Sequence, residues 1–205
     1  MDARSLGKEA DMELGPDAMT RQVAFLTHSL LNPAADAGRH PASRGPVLPL
    51  VSTLRDLGCE LVQLPAAEVG HLGVRRWWQS REMLDTPGFR AHCRRLAGPV
   101  LRQVEQFRAA GYDAVVIGTD GSPACGVRTT AGEAGWGGRP TEVDDPVPVA
   151  GQGVWIEVLR AAFVDAGLTF PRATGFDVGL ADAEMPHAVH ELRRFLRQSA
   201  TRIAE

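Results

Sequence analysis

Residues 112–127 read YDAVVIGTDGSPACGV, an apolar run that passes directly into a turn framed by glycines. A short apolar run bounded by turn residues is typical of a strand that is buried on both faces. Two comparable runs precede it, RQVAFLTH (21–28) and CELVQLP (59–65), and LTFPRATGF (168–176) follows it. We interpret all four as strands, the third of them covering 112–118.

Helical patterns fill the sequence between these strands. Apolar residues recur at helical spacing over 46–58, 86–111, 152–167 and 181–205, and Pro99 predicts an interruption or a kink in the second stretch. Strands that alternate with crossover helices predict a parallel sheet covered on both faces. The predicted fold class is therefore α/β, a Rossmann-like three-layer domain with a mostly parallel sheet.

One domain accounts for the chain, because 205 residues suffice for a single sizeable core. Residues 1–20 are polar and lack sustained periodicity, which predicts a disordered N-terminal arm before a domain over 21–205. Residues 129–150 are rich in Gly, Pro and acidic groups and predict a long connection without structure of its own. That connection is either a lid, which would include Trp136, or a floppy surface insertion.

Composition argues against several classes of function. A net charge of −3 without a basic stripe gives no support for nucleic-acid binding. No apolar stretch is long enough to cross a membrane, and no signal peptide is apparent, so we expect a cytoplasmic protein. The three cysteines are too widely spaced for a disulfide framework. The long helices have apolar faces that would permit a homodimer.

Polar side chains follow each of the first three strands. Ligands of open parallel sheets bind beyond the carboxyl ends of the strands, so these side chains are expected to converge on one crevice. They comprise a base, carboxylates, hydroxyls, an amide and a thiol. The candidates are His28, Ser29 and Asn32 after the first strand, Glu68 after the second, and Asp120, Ser122 and Cys125 after the third.

Most of these candidates also have a purely structural interpretation. His28 could hydrogen-bond the backbone at a strand end, and Glu68 could be a solvated loop residue. Ser122 could cap a turn or a helix. In RRWWQSREMLDTPGFR (75–90), Arg75 or Arg76 could bind an anionic group of a substrate or could stack on Trp77 at the surface.

Cys125 is a nucleophile, a metal ligand or a small apolar residue in a tight corner. Gly121 and Gly126 on either side of it indicate a close approach of the backbone to another group. A helix that began near this cysteine would favour its thiolate form. Cys59 and Cys93 have neither C-x-x-C nor His spacing around them, so we interpret both as structural.

Four ordered motifs give the chain a family resemblance. HSLLN, QLPAAE, LGVRRW followed by DTPGFR, and DGSPACGV are similar to motifs of the 2-thiouracil desulfurase family and its desulfidase relatives. GQGVWIE (151–157) fits the same family, and the resemblance covers about residues 22–180.

The resemblance implies a [4Fe–4S] cluster held by three cysteines, with an open iron that takes sulfur from a thiocarbonyl substrate. In this sequence those three positions are Ser29, Ala66 and Cys125. A glutamate and a serine that the family uses for proton transfer and substrate activation correspond to Glu68 and Ser122. One thiolate cannot hold such a cluster. We therefore expect a cluster-free member without a metal cofactor.

The expected function is that of an enzyme acting on a small heteroaromatic or acyl molecule. Cys125 would attack as a thiolate, while His28 or Glu68 moves protons, in a hydrolase, lyase or transferase reaction. Two alternatives stay open: a non-enzymatic binding protein on the same scaffold, and a true desulfidase that ligates a [4Fe–4S] cluster differently. The residues expected to bind substrate are Ser29, Asn32, Arg76, Trp77, Asp120, Gly121 and Gly126.

Overall fold

A computed structural model describes residues 21–33, 47–132, 137–138, 147–180 and 183–198. The predicted arm at 1–20 and Trp136 lie outside the described residues. In chain order the elements are β1 (Gln22–Leu26), α1 (His28–Leu31), α2 (Leu48–Asp56), β2 (Glu60–Gln63), α3 (Ala67–Leu72), β3 (Trp78–Gln79), α4 (Arg81–Leu84), α5 (Pro87–Ala109), β4 (Asp113–Thr119), β5 (Thr129–Ala131), β6 (Gly137–Gly138), β7 (Pro148–Ala150), α6 (Val154–Asp165), β8 (Arg172–Phe176) and α7 (Met185–Arg197).

Four parallel strands form the main sheet in the order β2-β1-β4-β8. The two central strands, β1 and β4, are buried almost throughout. Because side chains alternate along a strand, Val23 and Phe25 of β1 face α5 and α6, whereas Ala24 and Leu26 face α2 and α7. The apolar runs thus form the middle of a three-layer sandwich. The predicted α/β, Rossmann-like fold is confirmed.

The chain changes direction across the sheet at β1. It moves from β1 to β2 through α2 on one face, and then returns past β1 to β4 through α5 on the other face. A crevice opens beyond the carboxyl ends of the strands at such a switch point. In this fold that point lies between β1 and β4.

Several predicted boundaries are wrong. β1 ends at Leu26, and His28 begins the short helix α1 rather than ending the strand. Helix α5 continues through Pro99 without interruption. Pro99 is exposed, so water can bind the backbone carbonyl that loses its helical partner.

The expectation of an unstructured connection over 129–150 is also wrong in its described parts. β5 pairs antiparallel with β7, and β6 pairs antiparallel with β3. These strands are two or three residues long. The partner of β5 lies at the other end of the same segment, and the partner of β6 lies about 60 positions earlier in the chain, at Trp78–Gln79. These strands form because they hydrogen-bond to their partners, and the local sequence pattern does not predict such short pairings.

A polar cluster closes the amino ends of the strands. Gln22 on β1 donates through Nε2 to the Leu196 carbonyl oxygen of α7 at 2.9 Å. Arg172 on β8 pairs with the Asp113 carboxylate of β4 at 3.2 Å and donates to the Phe195 carbonyl oxygen at 3.0 Å. We call Gln22, Asp113 and Arg172 the amino-end cluster. It fixes the last turns of α7 to the sheet.

No helix within the described ranges is long and apolar enough to cross a membrane.

Candidate functional site

The structure brings the three predicted segments to one level at the carboxyl edge of the sheet. The Thr27 amide donates to the Ile117 carbonyl oxygen at 3.0 Å, and the Leu64 amide donates to that of Leu26 at 2.7 Å. The ends of β1, β2 and β4 are therefore in register. The side chains that follow them begin from a common edge, as the parallel-sheet argument predicts.

Three hydroxyl groups join the ends of β1 and β4. The Thr119 Oγ1 atom lies 2.8 Å from Thr27 Oγ1 and 2.7 Å from Ser29 Oγ. Thr27 and Thr119 are almost fully buried. A hydroxyl has one proton to donate, so Thr119 accepts from at least one of its two neighbours. Ser29 is among the predicted site residues, whereas Thr119 is not, because in sequence it is simply the last residue of a strand.

His28 lies between Thr27 and Ser29 in the sequence and is the first residue of α1. Its Nδ1 atom is buried and has no hydrogen-bond partner among the described residues. Burial lowers the pKa of His28 below 6.5, and the nearby positive charge of Arg76 lowers it further. The imidazole is therefore neutral at pH 7 and able to accept a proton. At the other end of α1, exposed Asn32 donates to Gln63 Oε1 at 2.8 Å and ties α1 to β2.

Glu68 and Arg76 form an ion pair at the same edge. The distance from Arg76 Nη2 to Glu68 Oε2 is 3.6 Å, and only 5% of the Arg76 side chain and 15% of the Glu68 side chain are exposed. Glu68 lies in the first turn of α3. The interpretations of Glu68 as a solvated loop residue and of Arg76 as a surface residue are therefore wrong. Trp77, by contrast, is 61% exposed.

Cys125 lies in a turn that Ser122 organises. Ser122 Oγ accepts the Cys125 amide at 3.0 Å, and the Ser122 carbonyl oxygen accepts the Gly126 amide at 3.1 Å. The turn also bonds back to β4, because the Thr119 amide donates to the Cys125 carbonyl oxygen at 3.1 Å. Ser122 thus caps a turn, and its own hydroxyl proton has no acceptor in the part of the chain that the structure describes. We call residues 122–126 the cysteine turn.

Asp120 has a structural role in the same loop. Its Oδ1 atom accepts the backbone amides of Val127 at 3.1 Å and Arg128 at 2.9 Å, and its Oδ2 accepts Arg128 Nε at 2.6 Å. A Cβ atom at Gly175 would overlap the carboxylate, so the glycine on β8 makes room for it. These contacts of Asp120 hold the loop together.

Gly121 and Gly126, the two glycines near Cys125, are required for different structural reasons. Gly121 has a φ of +76°, which favours glycine. A Cβ atom at Gly126 would overlap the Thr129 carbonyl oxygen. The close approach predicted from these glycines is therefore an approach to the protein's own backbone.

Helix α6 begins against the cysteine turn rather than at Cys125. The amides of Gly153, Val154 and Trp155 donate to carbonyl oxygens of the turn, each at 3.0 Å. A Cβ atom at Gly153 would overlap the backbone of Ala124. The amino-terminal amides of α6 therefore bind the backbone of the turn, and Cys125 does not stand at the start of a helix.

Four charged side chains form a cluster beside the start of α6, which we call the charge cluster: Arg81, Asp85, Arg90 and Glu157. Glu157 pairs with both Arg81 and Arg90, the latter at 3.1 Å. Arg90 also pairs with Asp85 through Nη2 at 2.8 Å. This bond lowers the pKa of the Asp85 carboxyl and raises that of Arg90. Sequence patterns do not reveal this cluster as a unit, although DTPGFR and GQGVWIE contain three of its members.

Buried polar atoms without partners collect at the carboxyl edge and in the elements packed around it. Trp155 is fully buried, which confirms its predicted place in the core. Native proteins rarely leave such atoms unpaired, and in most proteins a water molecule, an ion or a ligand binds them. Among the described residues these atoms include His28 Nδ1, Gln79 Oε1, His92 Nε2 and Trp155 Nε1.

The other two cysteines are buried. Burial raises the pKa of Cys59 to about 11 and that of Cys93 to about 12. Both thiols are therefore protonated at neutral pH, which agrees with a structural role.

The positions that the family resemblance assigns to cluster ligands do not fit a [4Fe–4S] cluster. Ser29 is hydrogen-bonded to Thr119, and Ala66 has no donor atom. Only Cys125 offers a thiol. Within the described ranges no three His, Cys, Asp or Glu side chains form a group that could hold a metal ion.

A cavity of about 750 Å³ lies between the end of β8 and α7. Arg128 and Asp177 contribute to its wall, whereas His28, Glu68 and Cys125 do not. The predicted site and this cavity are therefore separate features.

Comparison with known proteins identifies a distant relative. Over 107 residues the chain is 24% identical to an uncharacterized protein of Methanocaldococcus jannaschii, and the match covers 52% of this chain and 69% of that protein. No family model and no solved structure matches the chain. The relative is itself uncharacterized and assigns no activity.

Proposed function

We propose that this protein is a desulfidase-like enzyme that works without a [4Fe–4S] cluster on a small heteroaromatic or acyl molecule. Cys125 is the nucleophile, and His28 and Glu68 transfer protons. The observation that carries the proposal is the neutral His28 imidazole, whose buried Nδ1 has no partner among the described residues, beside the Glu68–Arg76 pair. Such a combination at the switch point of a parallel sheet favours a reactive site.

The proposed reaction begins when the Cys125 thiol gives its proton to His28 and the sulfur attacks an electrophilic carbon. A sulfur–carbon bond forms, and the leaving group departs with its bonding electrons and takes the proton from His28. Water then attacks the same carbon while Glu68 accepts a proton from it. The sulfur–carbon bond breaks, and Glu68 passes the proton it took from water to the departing thiolate, which restores both groups. A second substrate in place of water would make the reaction a transfer.

The surrounding residues have supporting roles in this proposal. Ser122 donates its hydroxyl proton to the substrate while it accepts the Cys125 amide. Arg76 attracts an anionic or polarised group, and Ser29, Asn32 and Trp77 line the approach. The other three loop residues that we predicted to bind substrate also give the loop its shape: Asp120, Gly121 and Gly126.

Thiol labelling tests the nucleophile. We expect iodoacetamide to modify Cys125 at pH 7, because the proposed reaction uses its thiolate, and the pH dependence of labelling gives a midpoint to compare with the free-thiol value of about 8.5. Cys59 and Cys93 are internal controls, because their raised pKa values keep them unreactive. Peptide mass spectrometry separates the three sites. A midpoint for Cys125 at or above the free-thiol value would contradict a catalytic thiolate.

A non-enzymatic binding protein is the second candidate. It is favoured by the fact that Asp120 and Ser122 both use their oxygens to hold the loop. In that case Cys125→Ser would retain binding of a small ligand, and the wild-type thiol would show no enhanced reactivity.

A desulfidase with different ligands is tested by anaerobic reconstitution with iron and sulfide. We expect no cluster absorbance. An absorbance band that is lost in Cys125→Ala would overturn the cluster-free proposal.

A further inference from the structure

The cysteine turn depends on the first turn of α6 for its position. Three consecutive amides, those of Gly153, Val154 and Trp155, donate to carbonyl oxygens of the turn at 3.0 Å each. Gly153 also lies so close to Ala124 that no side chain fits between them. A shift of the amino end of α6 would therefore carry the backbone of Cys125 with it.

The first turn of α6 is in turn held by the charge cluster. Arg81 donates through Nε to the Gln152 carbonyl oxygen at 2.9 Å, and its guanidinium also pairs with the Glu157 carboxylate. Arg90 binds the other Glu157 oxygen at 3.1 Å. Contacts thus hold α6 on both sides of Gly153.

The arginines project from elements that are themselves fixed. Ser80 caps α4 by accepting the Met83 amide at 3.3 Å, and Thr86 caps α5 by accepting the Phe89 amide at 3.1 Å. Asp85, between the two helices, pairs with Arg90 at 2.8 Å. The two capped helices provide a firm support from which the arginines reach α6.

We propose that Glu157, together with Arg81 and Arg90, positions Cys125 for reaction by fixing the start of α6. This inference rests on the proposed function in that it takes Cys125 to be the reacting group. None of the three charged residues needs to touch the substrate, so they are positioning residues rather than catalytic ones. The coupling runs from Glu157 through the first turn of α6 to the backbone of the cysteine turn.

The test compares Glu157→Gln with Glu105→Gln. Both carboxylates are 40% exposed and both pair with an arginine, but Glu105 pairs with Arg108 near the far end of α5. The amide side chain of glutamine is as large as the carboxylate it replaces, so both variants are expected to fold. Hydrogen exchange at the amides of 153–155 measures how firmly α6 is attached to the cysteine turn. The pH profile of Cys125 labelling gives the midpoint at which its thiol becomes reactive.

In Glu157→Gln we expect amide exchange at 153–155 to rise roughly fivefold and the labelling midpoint of Cys125 to shift, because the backbone that carries the thiol moves. Glu105→Gln leaves both unchanged. Arg81→Lys keeps a charge beside Glu157 but loses the bond to Gln152, so it falls between wild type and Glu157→Gln. Unchanged exchange and an unchanged midpoint in Glu157→Gln would overturn the proposal.

The two proposals fail in different ways. A wild-type midpoint at the free-thiol value defeats the proposed function, whatever Glu157 does. Exchange at 153–155 still decides whether the charge cluster holds the turn. Faster exchange with an unmoved midpoint would show that Glu157 stabilises α6 without positioning Cys125, and would overturn the inference alone.

Discussion

The two ends of the central sheet use polar side chains for opposite purposes. At the amino ends, Gln22 and Arg172 bind backbone carbonyl oxygens of α7, and Arg172 also pairs with Asp113. At the carboxyl ends, His28 Nδ1 is buried without a partner among the described residues. The hydroxyl of Thr119, however, is flanked by two others at that same edge.

This difference separates a stabilising network from a site. Buried polar groups that satisfy one another fix a single packing, whereas unsatisfied ones weaken the fold unless something else binds them. The amino-end cluster has its bonds within the protein. At the carboxyl end, His28 Nδ1 has no bond within the part of the chain that the structure describes.

The largest expected loss of folding free energy comes from a glycine substitution at the carboxyl end of the sheet, compared with one at the amino end. Gly153→Ala, at the carboxyl end, forces a Cβ atom into the Ala124 backbone and is expected to cost about 3 kcal/mol of folding free energy. Gly111→Ala, at the amino end, meets no atom within 4 Å and only adopts a φ of +82°, which costs about 1 kcal/mol. Urea unfolding of both variants measures the difference. Equal losses would show that the crowding around Gly153 relaxes freely.

The next largest loss of folding free energy is expected in the amino-end cluster. Gln22→Ala leaves the Leu196 carbonyl oxygen buried without its donor and is expected to cost about 2 kcal/mol. Asn32→Ala removes an exposed bond to Gln63 at the carboxyl end and is expected to cost about 0.5 kcal/mol or less. Chemical denaturation again measures both. A larger loss of unfolding free energy in Asn32→Ala than in Gln22→Ala would contradict the stabilising role of the amino-end cluster.

A smaller effect should appear as a pH dependence of stability. Burial lowers the pKa of both His28 and His92 below the ordinary histidine value of 6.5, and it is the largest cause of the shift at each residue. Their stabilising contribution is fully present above pH 6.5 and is lost as pH falls below it towards the folded-state values, because the unfolded chain then binds more protons.

Unfolding free energies measured between pH 7.5 and 5.5 test this sign. Replacement of both His28 and His92 by Gln should flatten the curve, whereas the same change at His190, exposed on α7, should leave its slope as in the wild type. Stability that rises on acidification would contradict the burial argument.

The smallest effect is expected at the surface of α7. Arg194 pairs with Glu191 at 2.5 Å, but 63% of the Arg194 side chain is exposed. Arg194→Gln should change the unfolding free energy by less than about 0.5 kcal/mol, because exposed pairs are weak. A thermal or urea unfolding curve that coincides with the wild type is the expected result.

Much of the sandwich could be predicted from sequence because its central strands are apolar without alternation. QVAFL and DAVVIGT signal burial on both faces, and the rule for parallel sheets then places His28, Ser29 and Cys125 at one edge. No such local signal marks β3 and β6, which exist only through their pairing with each other.

The charge cluster shows why other parts of the site could not be predicted. Arg81 and Gln152 are 71 positions apart, and nothing in the sequence around either residue indicates the other. Thr119 is similarly ordinary in sequence, since its importance comes from hydroxyls that β1 brings beside it. The energetic value of these side chains depends on the folded neighbourhood rather than on local pattern.

The position of β4 beside β1 has a consequence during synthesis on the ribosome. Ser29 and Thr119, which meet across these strands, are separated by 90 positions, so β1 emerges long before its central neighbour. Until β4 has emerged, one edge of a strand whose last four residues are apolar has no native partner, although β2 can already pair with the other edge. The growing chain therefore carries an aggregation-prone edge between the emergence of β1 and that of β4. Its burial coincides with completion of the strand that leads into the cysteine turn.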